Sequence, residues 1–89
     1  MSYDLEFKKS ALKDWKKLDD AIKKQFKSKL EERLSQPKVE SDRLRNGLGY
    51  KIKLRCSGYR LIYTVDDGRI VVEVVAIGKR DSIYERIMK

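Results

Sequence analysis

The chain opens with alternating apolar and polar residues and then changes to a helical period. In "YDLEF", residues 3 to 7, the side chains of Tyr3, Leu5 and Phe7 fall on one side, which predicts a half-buried first strand. Ser10 is a suitable N-cap for the helix that follows. The apolar face of this first helix carries Ala11, Leu12, Trp15 and Leu18.

A second helix is predicted to start at the acidic pair Asp19 and Asp20 and to end before Pro37, the only proline. Its apolar residues recur at four-residue steps, which is typical of a helix with one buried stripe. They are Ile22, Phe26, Leu30 and Leu34. The two helices are therefore predicted to form a hairpin.

Three strand patterns fill the second half of the chain, at residues 50 to 55, 59 to 65 and 69 to 77. The segments "CSG" and "DDG" supply the turns between them. The third strand, "RIVVEVVAI", is apolar on nearly both faces, which favours a central position in a sheet. The last residues, "GKRDSIYERIMK", leave the sheet as a short helix or tail.

The order of these elements, β-α-α-β-β-β, predicts an α+β fold. We expect a small, antiparallel-dominated sheet with the helical hairpin on one face. A chain of 89 residues without a linker or an internal repeat is predicted to form a single domain over residues 1 to 89.

The segment "YKIKLRCSGYRLIYTV" predicts its own strand register. A two-residue turn across Cys56 and Ser57 would pair Arg55 with Gly58, Leu54 with Tyr59 and Lys53 with Arg60. Apolar and cationic side chains then separate onto opposite faces. The apolar face carries Tyr50, Ile52, Leu54, Tyr59, Leu61 and Tyr63, and the cationic face carries Lys51, Lys53, Arg55 and Arg60.

The cationic face has two interpretations. Lysines on strands commonly guard sheet edges and maintain solubility, so a solvated outer face explains the pattern without a ligand. Like charges directly opposite each other are destabilising, however, and Lys53 is predicted to lie opposite Arg60. A phosphate backbone would relieve that repulsion, which favours binding of nucleic acid.

The overall composition agrees with a polyanionic partner. Lys and Arg number 22 against 14 Asp and Glu, which gives a formal net charge of +8. The chain has no His and one cysteine, Cys56, so we expect no metal site, no cofactor and no disulfide. It has no signal-peptide pattern and no apolar run long enough to span a bilayer, so we expect a cytoplasmic protein without a membrane partner.

Four segments in order, "ALKDWKKLD", "KLEERLSQP", "DRLRNGLGYKIKLRCSGYRLIYTV" and "VVAIGKRD", resemble the RelE toxins of the RelE/ParE superfamily. The resemblance covers nearly the whole chain. It implies a toxin of a type II toxin-antitoxin system, a ribosome-dependent and metal-independent endoribonuclease that cuts messenger RNA in the ribosomal A site. The implied partners are a RelB-type antitoxin, the ribosome with its messenger RNA, and operator DNA only through the antitoxin complex.

The same resemblance implies which residues act. The catalytic set carries over to Lys51, Lys53, Arg60, Arg80 and Tyr84, and RNA contacts are expected from Arg45, Arg55 and Lys79. In this scheme the ribose 2′-hydroxyl attacks the adjacent phosphate, Tyr84 accepts its proton as phenolate, and the cations stabilise the developing negative charge.

Two alternatives remain open from the sequence. A ParE-like gyrase inhibitor shares the architecture, because fold does not fix function. A basic module that binds RNA or the ribosome and blocks translation without cutting is the second. Its main support is the short "DSI" spacer between Arg80 and Tyr84.

Overall fold

The computed structural model of the chain describes residues 2–44, 47, 49–54, 57–79 and 83. The elements that can be traced within these residues are two helices and four strands, and a 3-10 turn at Glu40–Asp42 lies between the helices and the later strands. In chain order the elements are β1 (Asp4–Phe7), α1 (Lys9–Lys16), α2 (Asp20–Ser35), β2 (Tyr50–Lys53), β3 (Tyr59–Asp66) and β4 (Val71–Lys79).

The strands form one sheet in the order β1-β4-β3-β2. β1 runs parallel to β4, while the β2–β3 and β3–β4 pairs are antiparallel. This confirms the α+β, antiparallel-dominated fold and the central place of the last strand. The outer strands of the sheet are β1 on one side and β2 on the other, and an isolated bridge joins Arg43 to Tyr50 at the start of β2.

The main core lies between the sheet and the two helices. The stripe of α2 is confirmed, because Phe26 and Leu30 are fully buried while Ile22 and Leu34 are half-buried against the core. Trp15 of α1 packs near two aromatic rings, at 5.3 Å from Phe7 and 6.4 Å from Phe26 between ring centroids. The sheet contributes Ile52, Leu54, Leu61, Tyr63, Val72, Val74 and Ile77 to the same core.

The start of α1 differs from the prediction. Ser10 lies inside the helix, which begins at Lys9 with Lys8 in the N-cap position and no capping bond from a side chain. The Lys8 N–H donates to the Val74 carbonyl, which continues the pairing of β1 with β4 up to the first helical residue. Strand pairing therefore decides where this helix begins. Ser10 is then the second helical residue and cannot serve as the N-cap.

The register of the β2–β3 hairpin is confirmed, since Lys53 pairs with Arg60, Ile52 with Leu61 and the Leu54 N–H donates to the Tyr59 carbonyl. The turn differs from the predicted two-residue one. Gly58 has a φ of 74° and its N–H donates to the Leu54 carbonyl, so Gly58 and Tyr59 together face Leu54. This glycine bulge takes up one residue and keeps the two faces separate.

The last strand begins and alternates differently from the prediction. The turn extends through residues 67 to 70, where Ile70 has a φ of 57°, so β4 starts at Val71 and runs to Lys79. A bulge shifts the β3–β4 register between Ile62 and Tyr63. Val74 and Ile77 therefore both face the main core, while Ala76 faces the other side of the sheet.

Gly49 is required by the close approach of the chain to β3 at the entry to β2. Its φ is 142°, and a methyl group there would lie 2.4 Å from the Tyr63 carbonyl oxygen. We expect Gly49→Ala to lower the free energy of unfolding by about 2 kcal/mol or more, because backbone strain and a steric clash add. Urea denaturation measures this, and Gly68→Ala is the control, since the nearest atom to its added methyl group would lie at 3.5 Å. An equal loss of stability in both variants would contradict the requirement for glycine at position 49.

In the part of the chain that the structure describes, neither helix has the length and apolar character needed to cross a membrane. The longer of the two, α2, has 16 residues.

Candidate nucleic-acid interface

Three of the predicted cations share one face of the β2–β3 hairpin. Lys53 lies directly opposite Arg60, and Lys51 lies opposite Ile62 on the same face. Because the neighbouring Leu54–Tyr59 pair is hydrogen-bonded, Lys53 and Arg60 form the closer, non-hydrogen-bonded type of pair, with Cα atoms about 4.5 Å apart. Two cations are thus held side by side. We call Lys51, Lys53 and Arg60 the cationic face.

Arg60 is anchored differently from the lysines. It is half-buried on β3, between Lys53 of β2 and Gly78 of β4. Its Nε atom is buried and has no hydrogen-bond acceptor among the described residues. Burial of Nε holds the base of the guanidinium inside the fold, so a phosphate would be met by the planar group's charge and its terminal nitrogens. The guanidinium is therefore suited to a phosphate.

The sheet face that carries these cations also carries a small apolar cluster. Leu44, Ile62, Ala76 and Ile83 are buried there, with Val75 packed against them. Ile83 is completely buried, and its Cβ lies 3.8 Å from the position a Gly78 side chain would occupy. Ile83, five residues after Gly78 in the sequence, therefore lies against this face.

Lys79 lies on the other face. It pairs with Tyr59, which packs against the main core, and its Nζ is 5.9 Å from the Tyr59 ring centroid. The bulge in β4 moves this residue away from the face that holds Arg60. The RNA contact from Lys79 stays a prediction, and from this position it would be made at the end of the strand rather than on the cationic face.

Four of the predicted site residues lie outside the described residues. They are Arg45, Arg55, Arg80 and Tyr84. The assignments of the last two to catalysis and of the first two to RNA contacts stay predictions.

A polar network that the sequence did not reveal lies behind β2. Arg33 of α2 donates to the Tyr63 hydroxyl at 2.9 Å and to the Asp42 carboxylate at 2.5 Å, and the Tyr63 hydroxyl donates to the Pro37 carbonyl at 2.6 Å. Burial raises the pKa of the Tyr63 phenol, and the nearby Arg33 only partly offsets this, so the phenol stays a donor. We call Arg33, Asp42 and Tyr63 the arginine bracket.

Carboxylates and thiols do not form a metal centre in the described part of the chain. No group of three or more His, Cys, Asp or Glu side chains is placed there to hold an ion.

The comparisons with known proteins all match toxins of toxin-antitoxin systems. The family model described as the ParE toxin of type II toxin-antitoxin system, parDE, matches residues 5–84. The mRNA interferase toxin RelE of Escherichia coli K12 is 46% identical over an alignment of 92 residues, which covers all of this chain and 97% of that protein.

Solved structures agree with the sequence comparison. In the crystal structure of the intact E. coli RelBE toxin-antitoxin complex, one chain is 48% identical and superposes with a TM-score of 0.84, over 89% of this chain and 98% of that one. The isolated E. coli RelE toxin is 44% identical with a TM-score of 0.85, over 98% of this chain and 96% of that one. An archaeal RelE from the RelE–RelB complex of Pyrococcus horikoshii, at 20% identity and a TM-score of 0.64, shares the fold. The chain therefore belongs to the RelE/ParE family of type II toxins, as a member similar to RelE.

Proposed function

We propose that this chain is a RelE-type toxin that enters the ribosomal A site and cleaves messenger RNA there. The proposal takes residues 1 to 89 as one toxin domain that acts in the cytoplasm, where translating ribosomes are found. Its identity of 46% to an mRNA interferase over the full chain supports this activity above that of a gyrase inhibitor.

The observation that carries the proposal is the pairing of Lys53 with Arg60 beside Lys51. Among exposed strand residues, two directly opposed cations cost stability unless an anion lies between them. A phosphodiester supplies that anion, and the Arg60 guanidinium is a planar donor group suited to its oxygens. The arrangement therefore fits a bound RNA backbone.

The chemistry requires only proton transfer and charge stabilisation, because RNA carries its own nucleophile. The ribose O2′ forms a bond to phosphorus, and the bond from phosphorus to the O5′ of the next nucleotide breaks. In the proposed scheme Tyr84, as phenolate, accepts the 2′-hydroxyl proton, with Lys51 and Lys53 favouring its ionised form. Arg60 and Arg80 stabilise the phosphorane-like transition state, and Arg80 assists the leaving oxygen.

Cleavage of this kind leaves a 2′,3′-cyclic phosphate on one product and a free 5′-hydroxyl on the other. The test is to incubate the purified chain with programmed ribosomes and to identify both ends of the cut messenger RNA. Ends with these two groups support the proposal. A 5′-phosphate product, an intact messenger RNA on an arrested ribosome, or stabilised gyrase–DNA complexes would each assign the chain to another activity.

Regulation by a RelB-type antitoxin follows from the complexes that the relatives form. A second feature supports a bound acidic segment. Between β1 and the helices lies a groove of about 430 Å³ with an apolar floor and a lysine rim. Leu5, Phe7, Trp15 and Leu30 line the floor, and Lys23, Lys24 and Lys27 line the rim together with Asp20, so the charged lining is positive overall. An acidic amphipathic stretch of the antitoxin complements both parts.

We expect the antitoxin to occupy this groove and also to displace the segment that ends in Tyr84, which would remove the proton acceptor from the cationic face. The same complex would connect the chain to operator DNA. An antitoxin-bound structure in which Ile83 stays buried against Ile62 and Ala76, with the cationic face open, would contradict this account of inhibition.

Leu5→Glu tests the groove, since Leu5 is already 37% exposed in the free chain. We expect it to weaken antitoxin binding by about tenfold or more, because a carboxylate replaces an apolar anchor beside a like-charged partner, while folding and toxicity persist. Ile70→Glu is the control, since Ile70 is 40% exposed and lies outside the groove. Equal affinities of the two variants in calorimetric titration would exclude the groove from the interface.

A further inference from the structure

The arginine bracket reaches the strand that carries two of the proposed catalytic lysines. Besides Tyr63 and Asp42, the Arg33 guanidinium contacts the backbone carbonyl of Lys51, with its Nη1 at 3.5 Å from that oxygen. The side chains of Arg33 and Asp42 keep only 16% and 21% of their exposure, so the ion pair is largely removed from water. The Arg33 fork thus joins α2, the 3-10 turn, β3 and β2.

The contact falls on the outer edge of β2. Because Leu54 donates its N–H to Tyr59 of β3, alternation directs the backbone groups of Lys51 away from β3. At Gly49, two residues earlier, the outward carbonyl accepts the Leu44 N–H at 2.8 Å. Arg33 provides the next donor along the same edge. The Arg33 side chain, which comes from α2, thus donates to the outer edge of β2 beyond the point where the backbone near Leu44 pairs with that edge.

We propose that Arg33 is a positioning residue that fixes edge strand β2 and so holds Lys51 and Lys53 in place against the RNA. This inference rests on the proposed function for its catalytic readout and goes beyond it by assigning a role to a residue outside the cationic face. A four-residue edge strand whose outer side pairs with backbone at its first residue, through the bridge of Tyr50 to Arg43, is expected to fluctuate beyond that point. Small displacements of a positioned group are costly to catalysis, about a hundredfold for 1 Å in severe cases.

The test compares Arg33→Met with Arg69→Met. Both substitutions remove an arginine that pairs with a carboxylate. The pair of Arg69 with Glu6 does not involve β2, and it is exposed: the Arg69 side chain is 62% exposed and the Glu6 side chain 43%. Two quantities are measured on each purified toxin: amide exchange at Ile52 and Leu54 by NMR, and kcat and KM for cleavage on programmed ribosomes. Tyr63→Phe, which keeps the ring but removes the hydroxyl, provides a second disruption of the arginine bracket.

For Arg33→Met we expect exchange at Ile52 and Leu54 to increase about tenfold or more, with kcat lowered to a similar degree and KM changed less than about threefold. Tyr63→Phe should shift the same quantities in the same direction, and Arg69→Met should shift none of them. Unchanged exchange in β2, equal acceleration in every strand, or a parental kcat in folded Arg33→Met and Tyr63→Phe would each overturn the inference. A parent toxin that does not cleave at all refutes the proposed function instead, and the exchange data then still report on Arg33.

Discussion

Replacing Lys53 and Arg60 together by alanine is expected to lower ribosome-dependent cleavage by about a hundredfold or more while the fold is retained. The two cations lie opposite each other on neighbouring strands, where they would stabilise the negative charge that develops on the phosphate. Loss of one preorganised donor at such a site commonly costs about 10²–10³ in kcat. Cleavage rates measured at saturating toxin, together with growth after induction, give the result.

The same double variant should be slightly more stable than the parent. Removing a pair of directly opposed like charges relieves about 0.2–1 kcal/mol of repulsion. Lys13→Ala with Arg69→Ala is the control, because it removes one lysine and one arginine from exposed positions away from the cationic face. A folded Lys53→Ala, Arg60→Ala protein that still cleaves at the parental rate would remove the cationic face from the mechanism.

Tyr84→Phe is expected to slow cleavage by about a hundredfold or more and to leave the affinity for the ribosome nearly unchanged. A general base typically contributes about 10²–10⁴ to the rate, and phenylalanine keeps the ring while it removes the proton-accepting oxygen. The preceding residue, Ile83, is buried on the sheet face that carries Lys51, Lys53 and Arg60. The described neighbour of Tyr84 thus lies on the side of the sheet that this role requires.

Single-turnover cleavage and an equilibrium ribosome-binding assay separate the two effects of Tyr84→Phe. Tyr59→Phe serves as the matched control, since it removes one phenol from a residue that packs on the main core. We expect that control to cleave like the parent. Parental cleavage by Tyr84→Phe itself would mean that the cations carry the reaction without the tyrosine.

The hairpin register was predictable because side-chain alternation with a period of two leaves one way to bury its apolar residues. Moving β2 by one residue would place Lys51 and Lys53 in the main core and expose Ile52, at a large cost in free energy. The helices were predictable for a similar reason, since only one face of α2 is apolar. These elements follow from local pattern and burial alone.

The bulges could not be predicted in the same way. The segment of β4 reads as apolar on both faces, so an extra residue near Val75 changes neither its hydrophobicity nor its period in any visible manner. Yet this bulge decides that Ala76 joins the apolar cluster with Ile83 while Lys79 lies beside Tyr59. When both faces of a strand are apolar, the hydrophobic pattern does not determine which residues face which side, so the sequence does not specify the shift.

The arginine bracket could not be predicted from the sequence either. Arg33 lies 30 residues from Tyr63 and 18 from Lys51, and in the sequence it is one of several charged residues on α2. Only the crossing of α2 behind the hairpin brings its guanidinium to the edge of β2. Such a contact depends on geometry in three dimensions, which no spacing along the chain specifies.

The most direct measurement of the central claim is the position of the cut relative to the ribosome. Ribosomes stalled with a chosen codon in the A site, and then with the stall moved one codon downstream, are treated with the toxin, and the new 5′ ends are mapped. Cleavage in the A-site codon predicts that the ends move by the three nucleotides of one codon, and that the Lys53→Ala, Arg60→Ala variant gives no ends at either position. Ends that stay at one place on the messenger RNA, or that form equally without ribosomes, would contradict the account.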